Sequence, residues 1–109
     1  MQYFRFEVYV PTNYTEKVKE SMGKAGAGKL GNYDSCFWTT KGEGQFRPLK
    51  DSNPFIGKLN EIEKVEESKI ECIVEKKYIN DVIKEMKKSH PYEMPSYQYW
   101  PVYINEYKD

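Results

Sequence analysis

The residues best suited to chemistry in this 109-residue chain are its one histidine, His90, and Glu93 three positions later. An imidazole and a carboxylate at that spacing supply two ligands to zinc or another divalent ion. Two ligands do not make a site, so Cys36, Asp34 or a neighbouring subunit would have to converge on the pair. The plainer reading is that Ser89-His90-Pro91-Tyr92-Glu93 ends a helix and fixes the turn into the last strand, with the imidazole near the negative end of the helix dipole. Cys36 stands among Tyr33, Asp34 and Trp38 with no neighbouring lysine or arginine to lower its pKa, which favours a structural thiol over a nucleophile. With Cys72 it makes two cysteines, too few for a disulfide scaffold, and both read as reduced thiols on strands.

The other eye-catching residues are glycines. Residues 23–29 spell GxxxxGK and residues 26–31 spell GxGxxG. Leu30 stands where a phosphate loop needs Ser or Thr for magnesium. Both stretches also run from a helix into a strand, whereas phosphate chemistry needs a loop that opens a helix. The glycines therefore read as a tight helix-to-strand turn.

Whatever positions these residues must be small. The length allows one domain, spanning residues 1–109, with one core. Seventeen basic residues balance seventeen acidic ones, so the electrostatic footprint of a duplex nucleic-acid binder is missing. No apolar run approaches the roughly 18 residues of a membrane span. The opening Met1-Gln2-Tyr3-Phe4-Arg5-Phe6 alternates instead of forming an export signal, and a cytoplasmic location is expected. Aromatic content is 16%, with ten tyrosines, so rings should build much of the core and any interface.

Tyr3 to Val10 alternates strictly, with Phe4, Phe6, Val8 and Val10 on one face and Tyr3, Arg5, Glu7 and Tyr9 on the other. After Pro11, a helix is expected from Thr12 or Asn13, where Asn13 and Glu16 have capping-box spacing. Tyr14, Val18, Met22 and Ala25 form its apolar stripe, and Gly26 its C-terminal stop. Tyr33 to Thr40 reads as a strand, Lys41-Gly42-Glu43-Gly44 as a hairpin turn, and Gln45-Phe46-Arg47 as a short returning strand. Leu49 to Gly57 reads as a loop. Alternation resumes near Ile62 and runs through Ile70, Cys72 and Val74. A second helix follows, with Tyr78, Ile79, Val82, Ile83 and Met86 on its apolar face, closed by Lys87-Lys88 and Pro91. Tyr97 to Val102 is the last strand. The predicted fold is α+β, a ferredoxin-like βαββαβ sandwich: a four-stranded antiparallel sheet, both helices on one face, and an elongated central hairpin.

An ordered set of segments carries a family resemblance: Ala25-Gly26-Ala27-Gly28-Lys29-Leu30-Gly31-Asn32-Tyr33-Asp34-Ser35-Cys36, then Gly42-Glu43-Gly44-Gln45-Phe46-Arg47-Pro48, then Asn53-Pro54-Phe55-Ile56-Gly57, and finally Ser89-His90-Pro91-Tyr92-Glu93-Met94-Pro95 before Tyr97. This resembles the insert domain of YqfO-type, Nif-three-like proteins over nearly the whole chain. The resemblance implies a fold similar to the PII signalling and CutA divalent-cation-tolerance proteins, and assembly with itself as a trimer, with a dimer next. Family members with the insert carry flanking lobes that hold a dinuclear metal site of histidines and acids; against that pattern this chain shows no such lobes and only one histidine. What it implies here is a non-catalytic oligomeric binding or regulatory module for a small molecule or protein, with no membrane or nucleic-acid partner. The ligand would sit between subunits against Gly28, Gly31, Asn32, Tyr33, Gly42, Gly44, His90, Tyr92 and Glu93. No cofactor is expected; the alternative is a divalent-metal protein with His90, Glu93 and Cys36 as ligands. On the binding reading His90 and Glu93 belong to a surface, so exchanging both for alanine should cost about 1 kcal/mol.

Overall fold

The computed structural model describes residues 2–105. Met1 and residues 106–109, which the expected 1–109 domain includes, lie outside the described residues. In order, the elements are β1 (Tyr3–Pro11), a 3-10 turn (Thr12–Tyr14), α1 (Thr15–Lys24), β2 (Trp38–Phe46), β3 (Glu63–Glu75), a second 3-10 turn (Lys76–Tyr78), α2 (Ile79–Ser89) and β4 (Tyr97–Val102). The four strands form one antiparallel sheet in the order β2-β3-β1-β4. The predicted ferredoxin-like βαββαβ architecture is the observed one.

The alternation of β1 explains the core. Phe6, Val8 and Val10 are fully buried on the same face as Ile70, Cys72 and Val74 of β3, which stand opposite β1 in register. Val18 and Met22 of α1 and Ile79, Val82 and Met86 of α2 complete the cluster. Both helices therefore cover one face of the sheet. Burial in this cluster pushes the Cys72 thiol up to about 12, so it stays protonated.

The open face of β1 is joined to β3 by charges. Lys69 Nζ lies 3.0 Å from Glu7, and Arg5 lies 3.5 Å from Glu71. The bond to Glu7 raises the Lys69 pKa above its ordinary value. Trp38 and Trp100 are in register with Glu71 and Arg5, which puts both on this open face.

The ends of α1 differ from expectation at one terminus only. No side chain caps its start, so the Asn13–Glu16 capping box is not formed; a 3-10 turn replaces it, with Thr15 Oγ1 donating to the Thr12 carbonyl at 2.7 Å. At the other end Gly26 N–H bonds the Gly23 carbonyl and Ala27 N–H bonds the Met22 carbonyl, the two bonds of a Schellman stop. Gly26 has φ +119°, and a methyl there would sit 2.5 Å from Cγ of Tyr78. Glycine is required at that point by both backbone and packing.

The central hairpin differs from the one expected. Tyr33 to Phe37 is irregular, and β2 runs unbroken from Trp38 to Phe46, through the expected turn. Gly42 and Gly44 pair with Glu67 and Val65 as ordinary rungs of the ladder. Neither is among the glycines with positive φ. The letters mislead because an extended strand also accepts glycines, and at Gly44 another side chain passes over it. The true connection is the long segment 47–62, and the hairpin is elongated because β3 has 13 residues.

Candidate functional site

His90 follows the last turn of α2, held extended by the proline after it. It is not at the surface: only 6% of it is exposed. Nε2 lies 2.7 Å from the carbonyl oxygen of Tyr9, and Nδ1 lies 3.1 Å from the backbone nitrogen of Tyr92. A carbonyl only accepts and an amide N–H only donates, so the proton belongs on Nε2 and the ring is neutral. Burial lowers the His90 pKa below its ordinary value, against the opposing pull of the Tyr9 carbonyl and the Glu67 charge. This is a buried structural histidine that ties the end of α2 to the end of β1. It is neither a charged dipole partner nor a surface residue, so the small cost expected of its exchange for alanine does not apply.

Two residues on, Tyr92 donates its hydroxyl to Glu67 Oε2 at 2.8 Å. Burial first, and then that carboxylate, raise the phenol well above its ordinary pKa, so it stays a donor. Glu67 is itself buried, 9% exposed, and its side chain lies across Gly44, where any Cβ would collide with the carboxylate. Gly44 is thus a site of close approach by Glu67. Phe46 packs edge-on to Tyr92 at 5.9 Å.

These groups floor a cavity of about 270 Å³. Its walls come from Tyr9, Phe46, Phe55, Ile56 and Met94, with Ser52 and Glu93 among the polar residues that line it. The roof is the 47–62 segment, fastened on one side by Asn53 N–H donating to Glu93 Oε2 at 2.6 Å and on the other by Phe55 edge-on to Tyr14 at 5.7 Å. A small, mainly apolar concavity with a few convergent polar groups is the usual form of a ligand site, although natural sites more often measure about 300–1,000 Å³.

The residues singled out from the sequence fall into two groups. Gly44, Tyr92 and Glu93 come together at or beside this cavity, with His90 as the buried support behind it. Gly28, Gly31, Asn32, Tyr33 and Cys36 do not. Gly28 N–H bonds the Ile73 carbonyl, and Ile73 stands opposite Arg5. The His90 contact is at Tyr9, four residues further along β1, or about 13 Å. Gly42 is an open rung of β2 with nothing above it. Cys36 N–H bonds the Gly28 carbonyl and its thiol points to the Asp34 carbonyl at 3.5 Å. Within one protomer the His90–Glu93–Cys36 ligand set is not assembled, and among the described residues no three of His, Cys, Asp and Glu gather in a way that could hold a metal. Lys29 of the phosphate-loop-like stretch lies over the Tyr78 ring at 5.4 Å.

Sequence reasoning missed Glu67. It sits in a run of glutamates and lysines that reads as solvated, and only the strand register turns it beneath Tyr92. The signal that points to it is Gly44 alone, since a glycine inside a strand can mark a close approach by a neighbour and Gly42 has nothing above it.

No family model matches the chain. It is 48% identical over 99 residues to the "GTP cyclohydrolase 1 type 2 homolog" of Halalkalibacterium halodurans, and 43% identical over 98 residues to that of Bacillus subtilis. Those matches take in 91% and 90% of this chain but only 27% and 26% of the relatives, so it spans about a quarter of their length. The crystal structure of a Bacillus cereus protein related to NIF3 superposes with a TM-score of 0.80 at 35% identity, over 93% of this chain and 26% of that one. The chain is homologous to one segment of the NIF3-related proteins. Two further structures show the fold alone. One is the Bacillus subtilis GlnK–ATP complex, with TM-score 0.62, 18% identity and coverage of 93% of this chain and 82% of that one. The other is CutA from Archaeoglobus fulgidus, with TM-score 0.66, 15% identity and coverage of 95% and 87%. The fold is therefore PII/CutA-like. Among the described residues, no helix is long and apolar enough to cross a membrane.

Proposed function

We propose that this NIF3-type segment is a non-catalytic binding module that assembles with itself and takes a small ligand in the cavity under the 47–62 segment. The observation that supports it is the buried Glu67–Tyr92 pair at the floor of a mainly apolar concavity. Among the described residues that line it there is no histidine, cysteine or lysine, the His90 imidazole behind it is held neutral by two hydrogen bonds, and the Tyr92 phenol stays protonated. The loop of Gly31, Asn32 and Tyr33, exposed beyond the buried Gly28, would reach such a ligand only from another copy of the chain, since in its own protomer it lies towards the other end of β1.

The cyclohydrolase name belongs to proteins about four times longer than this match and is not carried to it. The GlnK neighbour is described with ATP; here no lysine or arginine lines the cavity to receive phosphates. A divalent-cation role, which the CutA name suggests, has no assembled ligand set among the described residues to support it. A thermal-shift screen of small metabolites and divalent metals on untagged protein tests the reading. A ligand that raises the melting temperature in wild type but not in Tyr92→Ala supports it. Stoichiometric zinc or copper in the purified protein would replace it with the metal reading.

A further inference from the structure

The carboxylates of this sheet are not partnered alike. Glu7 and Glu71 share Lys69, and Glu71 also faces Arg5 at 3.5 Å. Glu67, further along β3, is buried yet has no cation within ion-pair distance among the described residues. Its polar partner is the Tyr92 hydroxyl, which supplies a hydrogen bond and no charge. A buried carboxylate without a counter-charge is expensive, and nearby attraction is strong because the surroundings exclude water. A second carboxylate, Glu93, lines the same cavity, and lysine and arginine are absent from its walls. The walls do hold the rings of Tyr9, Phe46, Phe55 and Tyr92, whose faces attract cations. The hydroxyl oxygen of Ser52, another lining residue, is buried with no partner among the described residues.

We infer that the cavity takes a small organic cation, an ammonium group on an aromatic or branched apolar body, whose charged head is the missing partner of Glu67. The inference rests on the reading of the cavity as a ligand site and adds the charge of the ligand. Apolar atoms of the body meet Phe46, Phe55 and Ile56, and Ser52 Oγ is available to an N–H donor. Phosphates and carboxylates are rejected, because Glu67 and Glu93 at the cavity are both carboxylates and like charges repel at close range.

Three probes of one shape and different charge provide the test: benzylammonium, benzyl alcohol and benzoate, titrated into the full chain by NMR at low salt. Benzylammonium is expected to bind at least tenfold more tightly than benzyl alcohol, and benzoate more weakly than either. Glu67→Gln keeps the shape and removes the charge; it should bring benzylammonium to the level of benzyl alcohol and leave benzyl alcohol within about twofold. The wild-type series stands without the variant if the variant does not fold. Equal affinity for all three probes, or preference for benzoate, would overturn the cation inference and leave the ligand-site reading standing. No binding by any probe, together with an oligomer that dissociates in Glu67→Gln, would overturn both and assign the missing cation to a second copy. Failure of every probe with no change in assembly also overturns both.

Discussion

At the scale of single residues, the chain spends its one histidine on architecture. The ring replaces solvent for two backbone groups, the Tyr9 carbonyl and the Tyr92 N–H, at a point where a helix end, a strand end and a proline turn meet. His90→Ala would leave both groups short of partners and a space behind Tyr92, and should cost about 2–3 kcal/mol by urea unfolding at pH 7.5. That exceeds the cost expected of a surface position. The pH dependence follows from the neutral state. The folded pKa is below the unfolded value of about 6.5, so the unfolded chain binds the extra proton. The contribution is complete above about pH 6.5 and is lost as pH falls towards the lowered folded value. Wild type should therefore lose stability between pH 7.5 and 5.5, and His90→Gln should flatten that part of the profile. A profile of the same slope in both proteins would show that the ring is not buried neutral.

At the scale of elements, β2 separates two ideas of what its glycines do. If Gly42 formed a turn, a β-branched residue there would be disruptive. As an extended, exposed rung with nothing within 4 Å of where a Cβ would sit, it should accept one. Gly42→Val is expected to raise stability by about 0.5–1 kcal/mol through strand propensity and a less flexible unfolded chain. Gly26→Ala is the contrasting control, since it meets Tyr78 and a left-handed backbone, and should cost about 2 kcal/mol or more in the same thermal melts. The same residues show how far the sequence is legible. Strict alternation in β1 and in the Ser68–Val74 part of β3, and the apolar stripes of α1 and α2, place the core because burial on one face writes its period directly into residue type. The central hairpin is misplaced because Gly42 and Gly44 carry turn chemistry and close-approach chemistry in the same letters. His90 is legible as a helix end but not as buried, and Glu67 is illegible as a floor, because both depend on partners more than 20 residues away in the chain.

At the scale of the whole molecule, the shape favours assembly. The radius of gyration is 15.2 Å, against about 13 Å for a compact chain of this length. The long axis is 53 Å, and Trp38 and Trp100 are 65% and 42% exposed on the helix-free side of the sheet. Large exposed rings on an uncovered sheet face usually meet a partner. Light scattering at micromolar concentration should give a mass above that of one chain, a trimer being expected and a dimer next. Substituting Trp38 and Trp100 together by serine should shift the population towards monomer while leaving far-UV circular dichroism intact. A monomeric wild type would remove self-association from the functional reading.

The strand order also sets a timetable for synthesis. β1 is an inner strand, yet both of its neighbours come late: Phe6 faces Cys72, 66 residues further on, and β4 follows later still. At about 5–20 residues per second, the ribosome delivers the first of these partners roughly 3–13 seconds after β1. During that interval Phe4, Phe6, Val8 and Val10 form an apolar strand with no native pairing available. Until β3 arrives, that unpaired apolar strand is the aggregation hazard of the nascent chain.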